Sequence, residues 1–99
     1  MLRIDSADYI KDYLMWLEFD NGVKGVADFS PIVNKPKFSF LKEEDNFIRY
    51  GLLDTVYWRV RDSEQHVQEE LDLAPEYILE KLMILKNTNN HEHYNFGAK

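Results

Sequence analysis

Apolar and polar residues alternate with period two along several stretches of the chain, and that period predicts strands. Leu2, Ile4 and Ser6 alternate with Arg3 and Asp5, as in a short half-buried strand. Tyr13, Met15, Leu17 and Phe19 share one face of a second strand, Asp20-Asn21-Gly22 follows, and Val23, Gly25, Ala27 and Phe29 alternate again. Asn-Gly between two alternating runs marks a hairpin, because both turn residues tolerate positive φ. Val56, Trp58 and Val60 alternate with Tyr57 and Arg59 as a fourth strand, and Asp62-Ser63-Glu64-Gln65 reads as a turn. Val67 to Leu73 either returns as a fifth strand or forms a charged helical turn, since its Glu and Gln content favours helix. The strand is the preferred reading.

Helical signals sit between and after these runs. Ser30 offers an N-cap with Pro31 at the first helical position, enough for one turn through Val33 before Pro36 stops it. Phe38, Phe40 and Leu41 drop toward the core from an irregular stretch. Glu43 to Tyr50 reads as a short helix with acids in its first turn, Phe47 and Ile48 facing inward and Gly51 ending it. Pro75 opens a last helix whose apolar stripe runs through Ile78, Leu79, Leu82, Met83 and Leu85. The expected fold is α+β: a twisted antiparallel sheet of about four to five strands, with a short helix and a C-terminal helix packed on one face. Residues 1–86 form a single domain in this reading, and 87–99 a polar tail in which Tyr94 and Phe96 are the residues able to pack.

Composition narrows the classes. Ninety-nine residues, 44% of them hydrophobic, suffice for one core and leave no room for a second. With no cysteine there is no disulfide scaffold, thiol nucleophile or thiolate metal site. The N-terminus lacks a signal-peptide pattern and no apolar run approaches the ~20 residues of a membrane span, so the expected address is the cytoplasm. A net charge of −6 disfavours direct nucleic-acid contact and binding to an anionic membrane.

Little in the sequence points to catalysis. His91-Glu92-His93 lacks a fixed third ligand, and with His66 reads as surface histidine rather than a metal site. Gly22 and Gly25 flank a hairpin instead of leading into a helix that would cradle phosphate. Ser30, Ser39 and Ser63 lack a nucleophile elbow. No catalytic residue, metal site or cofactor is assigned.

Two surfaces hold more information. From Asp62 to Glu80 the chain carries seven acids and no Lys or Arg. Such a run is ordinarily a solvated face, and otherwise a docking surface for a basic partner. Asp62, Glu64, Glu69, Glu70 and Asp72 are its candidate contact residues. In the first hairpin, Leu14, Trp16 and Val26 lie on the face opposite Met15, Leu17 and Phe19, where strict alternation would put polar residues. That second apolar face is covered either by the tail, through Tyr94 and Phe96, or by another chain.

The segment Leu17-Glu18-Phe19-Asp20-Asn21-Gly22, followed by Gly25-Val26-Ala27-Asp28-Phe29-Ser30-Pro31-Ile32, resembles the F-D-G and G-x-x-D-L-S-P-L signature of a small bacterial family. That family is known only as domain of unknown function 2442. Phe38 with Leu41, Phe47, Trp58, and Leu71-Asp72-Leu73-Ala74-Pro75-Glu76 also fall in its order, so the likeness spans residues 1 to about 85. The stretch from Arg59 to Glu70 is longer than the family's tight turn, and Phe29 stands where Leu is commoner. The resemblance implies a compact α+β domain that stands alone or precedes a helix-turn-helix domain. It also implies gene neighbourhoods similar to toxin–antitoxin pairs, and it carries no catalytic residues.

The expected function is a non-catalytic protein–protein interaction module that binds itself as a homodimer or a small partner protein. The alternative is a ligand-sensing or regulatory domain acting in transcription, which should possess a pocket.

Overall fold

The computed structural model describes residues 1–84; the end of the expected last helix, the tail with Tyr94 and Phe96, and His91 and His93 lie outside the described residues. Three strands, β1 (Ile4–Lys11), β2 (Leu14–Phe19) and β3 (Lys24–Asp28), form one antiparallel sheet in the order β1-β2-β3. A second antiparallel sheet holds β4 (Gly51–Leu53), β5 (Thr55–Arg61) and β6 (Val67–Asp72) in the order β4-β5-β6. Between the sheets in sequence come α1 (Ser30–Val33), a 3-10 stretch (Pro36–Lys42) and α2 (Glu44–Phe47), and after them α3 (Pro75–Tyr77) with a π turn (Ile78–Leu82).

The α+β class is as expected, but the single sheet of four to five strands is not: there are two sheets of three. The break has a local cause in β1. Ile4 and Ser6 face Phe19 and Glu18, while Tyr9 and Lys11 face Met15 and Leu14, so Asp5 and Ile10 are each an extra residue in the ladder. Two bulges bend and twist β1, which ends regular pairing along its free side. The rims of the sheets meet where the Ile4 N–H donates to the Asp54 carbonyl at 2.8 Å.

The first turn of the chain is one that periodicity misses. Tyr13 does not extend the inner face of β2. It forms a two-residue turn with Asp12, and both sit at positive φ, 52° and 65°, as a type I′ turn demands. A bulky residue tolerates that region only when its surroundings hold it. Here the Tyr13 hydroxyl donates to the Lys42 carbonyl, and its ring meets Phe47 edge-on at 5.2 Å. The hairpin between β2 and β3 forms where Asn-Gly placed it. It has three loop residues, and only Gly22 takes positive φ, at 92°.

The expected C-terminal helix is replaced by one α turn and one π turn. Met83 leaves them in an extended conformation and bridges Ala27 on the free edge of β3, and Ile84 N–H donates to Val26 O at 2.7 Å. An open strand edge offers the backbone partners that a longer helix would otherwise supply, and the chain takes them. Ile78, Leu82 and Met83 still bury their side chains as the apolar stripe required. The helical turn at Ser30 also forms, but its free N–H is satisfied by Asp28 Oδ1 at 2.9 Å rather than by the Ser30 hydroxyl. In α2, Phe47 is buried, whereas Ile48 faces solvent.

One core joins the two sheets. Met15, Leu17, Phe19 and Ala27 from the first meet Val56, Trp58 and Leu71 from the second. Phe47 sits at its centre, with the rings of Tyr9, Tyr13, Phe29 and Trp58 all within 5.2–5.7 Å. Phe47 also accepts a bond from the buried Trp58 Nε1 through its carbonyl, at 2.8 Å. Every buried side-chain nitrogen or oxygen among the described residues has a partner.

Tyr9 links this cluster to pH. Its hydroxyl donates to the Glu44 carboxylate, and burial followed by that neighbouring acid pushes its pKa up to about 12. The unfolded phenol ionises near 10, so between pH 10 and 12 the unfolded chain binds fewer protons than the folded one. Stability from this group is complete below pH 10 and is lost as pH rises toward 12. Urea midpoints measured from pH 9.5 to 11.5 should fall less steeply in Tyr9→Phe than in the wild type. Some slope should remain from Tyr50, whose pKa is also raised, by burial and then by Asp8. Equal slopes in the two proteins would contradict this origin.

Candidate functional site

A cleft of about 540 Å³ opens between the outer face of the second sheet and the segment that follows α2. Alternation along β5 puts Val56 and Trp58 into the core and turns Tyr57, Arg59 and Arg61 outward onto one wall. Phe40, Asn46, Arg49 and Tyr50 form the facing wall. Gln65, in the loop before β6, closes one end.

Each wall is held by bonds made outside the cleft. Asn46 Nδ2 donates to Phe40 O at 2.9 Å, which pins α2 to the 3-10 stretch. The Tyr50 hydroxyl donates to Ala7 O at 2.9 Å, fastening its ring to β1. Tyr57 lies across Gly51 on the neighbouring strand, and a Cβ at Gly51 would come within 2.3 Å of the Tyr57 ring. Glycine is needed there to let the ring lie down. The ring in turn supports the Arg59 guanidinium, 5.2 Å from its centroid, a cation–π contact.

The arginines differ in how far they are already engaged. Arg59 Nε donates to Glu70 Oε2 at 3.1 Å across the strand pair, a half-exposed ion pair of modest strength. Arg61 Nη1 donates to Gln65 O at 2.9 Å, with Gln65 at a φ of 70°. The Arg49 side chain makes no ion pair or hydrogen bond with any described residue. Three guanidiniums thus converge on one opening, with most of their N–H groups unused by the described residues. Such an arrangement holds oxyanions.

The two surfaces expected from the sequence fare differently. Leu14, Trp16 and Val26 do share the outer face of the first sheet, with Trp16 and Val26 directly opposite each other. Val26 is 0% exposed, and Leu14 and Trp16 are half-buried, with Trp16 Nε1 donating to Glu18 at 2.9 Å. The acids do not assemble into one surface. Asp62 builds the loop before β6, accepting from the N–H groups of Glu64 and His66 at 2.9 Å each. Glu70 is paired with Arg59. Glu69 lies opposite Val60, and Asp72 opposite Tyr57, so neighbouring acids of β6 point to opposite faces. Glu64 is exposed beside His66, 3.6 Å from its Nδ1.

Sequence reasoning passed over Arg49, Arg59 and Arg61 because the net charge is negative. A signal was present nonetheless: Arg59 and Arg61 are two apart on a predicted strand, and hence on one face, with Tyr57 beside them. Nothing in the sequence brings Arg49 to that face, since α2 reaches the second sheet through contacts between residues far apart in the chain, such as Phe47 with Trp58. Among the described residues no group of three or more acids or histidines is placed to hold a metal ion, and no helix is long and apolar enough to cross a membrane. No family model, curated protein or solved structure matches the chain.

Proposed function

We propose that the domain is a non-catalytic binding module that takes an anionic ligand in the arginine cleft. One observation carries this reading. In a chain of net charge −6, three arginines line a single opening, and the side chain of one, Arg49, has no partner among the described residues. An unpaired guanidinium beside two others is repelled by them, so the site gains stability when an anion arrives. The volume falls within the usual range for small-ligand sites. This places the weight on ligand sensing, with regulation of transcription as one use of it.

The arginine Nε–H signals in an NMR spectrum test the reading directly. Titrating sulfate should shift the signals of Arg49, Arg59 and Arg61 along a saturable curve. The signal of Arg3 should stay put, since it pairs with Asp20 and Asp54 away from the cleft. Four signals moving alike, or none moving, would refute it.

A protein partner is the second reading, favoured by β6. Its outer side pairs with no described strand, and its exposed residues include Gln68, Glu69, Glu70 and Asp72. An extended basic segment would add to that edge by backbone bonds and complementary charge. A second copy would meet its own acids there.

A further inference from the structure

Charge around the cleft narrows the class of ligand. Arg49, Arg59 and Arg61 supply three permanent positive charges. Glu70, bonded to Arg59 Nε, offsets one of them, and among the described residues no carboxylate lines the cleft itself. Two positive charges are left without a counterpart among those residues. The unused donors are also numerous: the whole fork of Arg49, both terminal nitrogens of Arg59, and Nε with one terminal nitrogen of Arg61.

A carboxylate fits this poorly. It brings one charge and two oxygens, satisfies one fork, and leaves the other guanidiniums facing each other. A phosphodiester also brings only one charge. A phosphate monoester carries between 1.5 and 2 negative charges at neutral pH and presents three acceptor oxygens in different directions. Donors here come from two sides, Arg49 from the end of α2 and Arg59 with Arg61 from β5. A tetrahedral group aims three oxygens in different directions and so meets both walls more fully than a planar one. We propose that the cleft is a receptor for a phosphate monoester, an assignment that rests on the anion-binding reading above. The monoester is either a small phosphorylated molecule or a phosphorylated side chain, since both present the same terminal group.

Calorimetric titration with methyl phosphate, dimethyl phosphate and acetate at one pH and ionic strength separates the possibilities. Methyl phosphate should bind about tenfold more tightly than either of the others, because only it carries the second charge. Arg49→Gln should weaken methyl phosphate by about tenfold or more, the effect of losing a charged bond. Its melting temperature without ligand should not fall, as the Arg49 side chain has no partner to lose among the described residues and its charge is repelled by the other two guanidiniums. Glu70→Gln should tighten binding severalfold by releasing Arg59, whereas a merely structural Glu70 would leave affinity unchanged or lower it. Acetate or dimethyl phosphate binding as tightly as methyl phosphate, with the same dependence on Arg49, would overturn the monoester assignment and leave the anion reading standing. Saturable binding by none of the three would overturn both. A capped phosphoserine tripeptide distinguishes the sources. Affinity more than about tenfold above methyl phosphate identifies a phosphorylated protein, and equal affinity identifies a small molecule.

Discussion

Replacing Phe47 with alanine should cost about 3–5 kcal/mol of folding stability, the range for removing a fully buried aromatic ring. Phe47 is 0% exposed and touches four other rings, so neighbours cannot collapse into the space without losing their own contacts. A domain of this size has about 5–15 kcal/mol in total, so the variant should sit near the edge of folding. The loss should extend to function. Arg49 is two residues on, and the segment carrying it is held against β5 by Phe47 through the ring stack and the Trp58 bond. Urea unfolding followed by near-ultraviolet circular dichroism measures the stability, and a methyl phosphate titration measures the cleft. Phe47→Leu, which leaves a much smaller cavity, should lose roughly 1–2 kcal/mol. A loss below about 1 kcal/mol in the alanine variant would show that the ring cluster is not what holds the sheets together.

The second large effect is expected at Gly51. Alanine there should cost about 1–3 kcal/mol, the usual range for forcing extra volume into a packed contact. Its φ is not the difficulty. The added Cβ would lie 2.3 Å from Tyr57 Cζ, so the ring must leave the glycine and take its support from Arg59. Phosphate affinity should fall with stability. A double-mutant cycle isolates the cause: in a Tyr57→Ala background the clash is gone, and Gly51→Ala should then be close to neutral. The same cost in both backgrounds would remove Tyr57 from the explanation. Gly51 read as a helix terminator in the sequence. Its actual role, as the floor beneath an aromatic ring on a neighbouring strand, depends on the pairing of β4 with β5.

Elements that depend on neighbours in sequence were legible in advance. The β2–β3 hairpin follows from alternation broken by Asn21-Gly22, and Gly22 alone supplies the positive φ it needs. Trp58 and Val56 inside, Tyr57 and Arg59 outside, follow from period two. The buried stripe of Ile78, Leu82 and Met83 follows from helical spacing even though the helix stops short. The β1–β2 turn was hidden, because Tyr13, unlike Asp12, is not a residue that favours positive φ. Their conformation is supported by Phe47 and Lys42, about thirty residues away. The division into two sheets was hidden as well, since bulges at Asp5 and Ile10 leave no mark in the alternation.

The same distinction governs the candidate site. Sequence determined which face of β5 carries Arg59 and Arg61, because side-chain direction in a strand is a local property of the backbone. Sequence also set the negative total charge, which argued against contact with nucleic acid or an anionic membrane. Tertiary structure alone decided that Arg49 joins them, that Glu70 is spent on Arg59, and that the acids of β6 divide between two faces. The physical reason is the range of the forces involved. Backbone geometry and side-chain period act over a few residues, whereas the field inside a cleft is the sum of whatever charges folding brings within several ångströms. A protein can therefore be acidic as a chain and basic within one cleft.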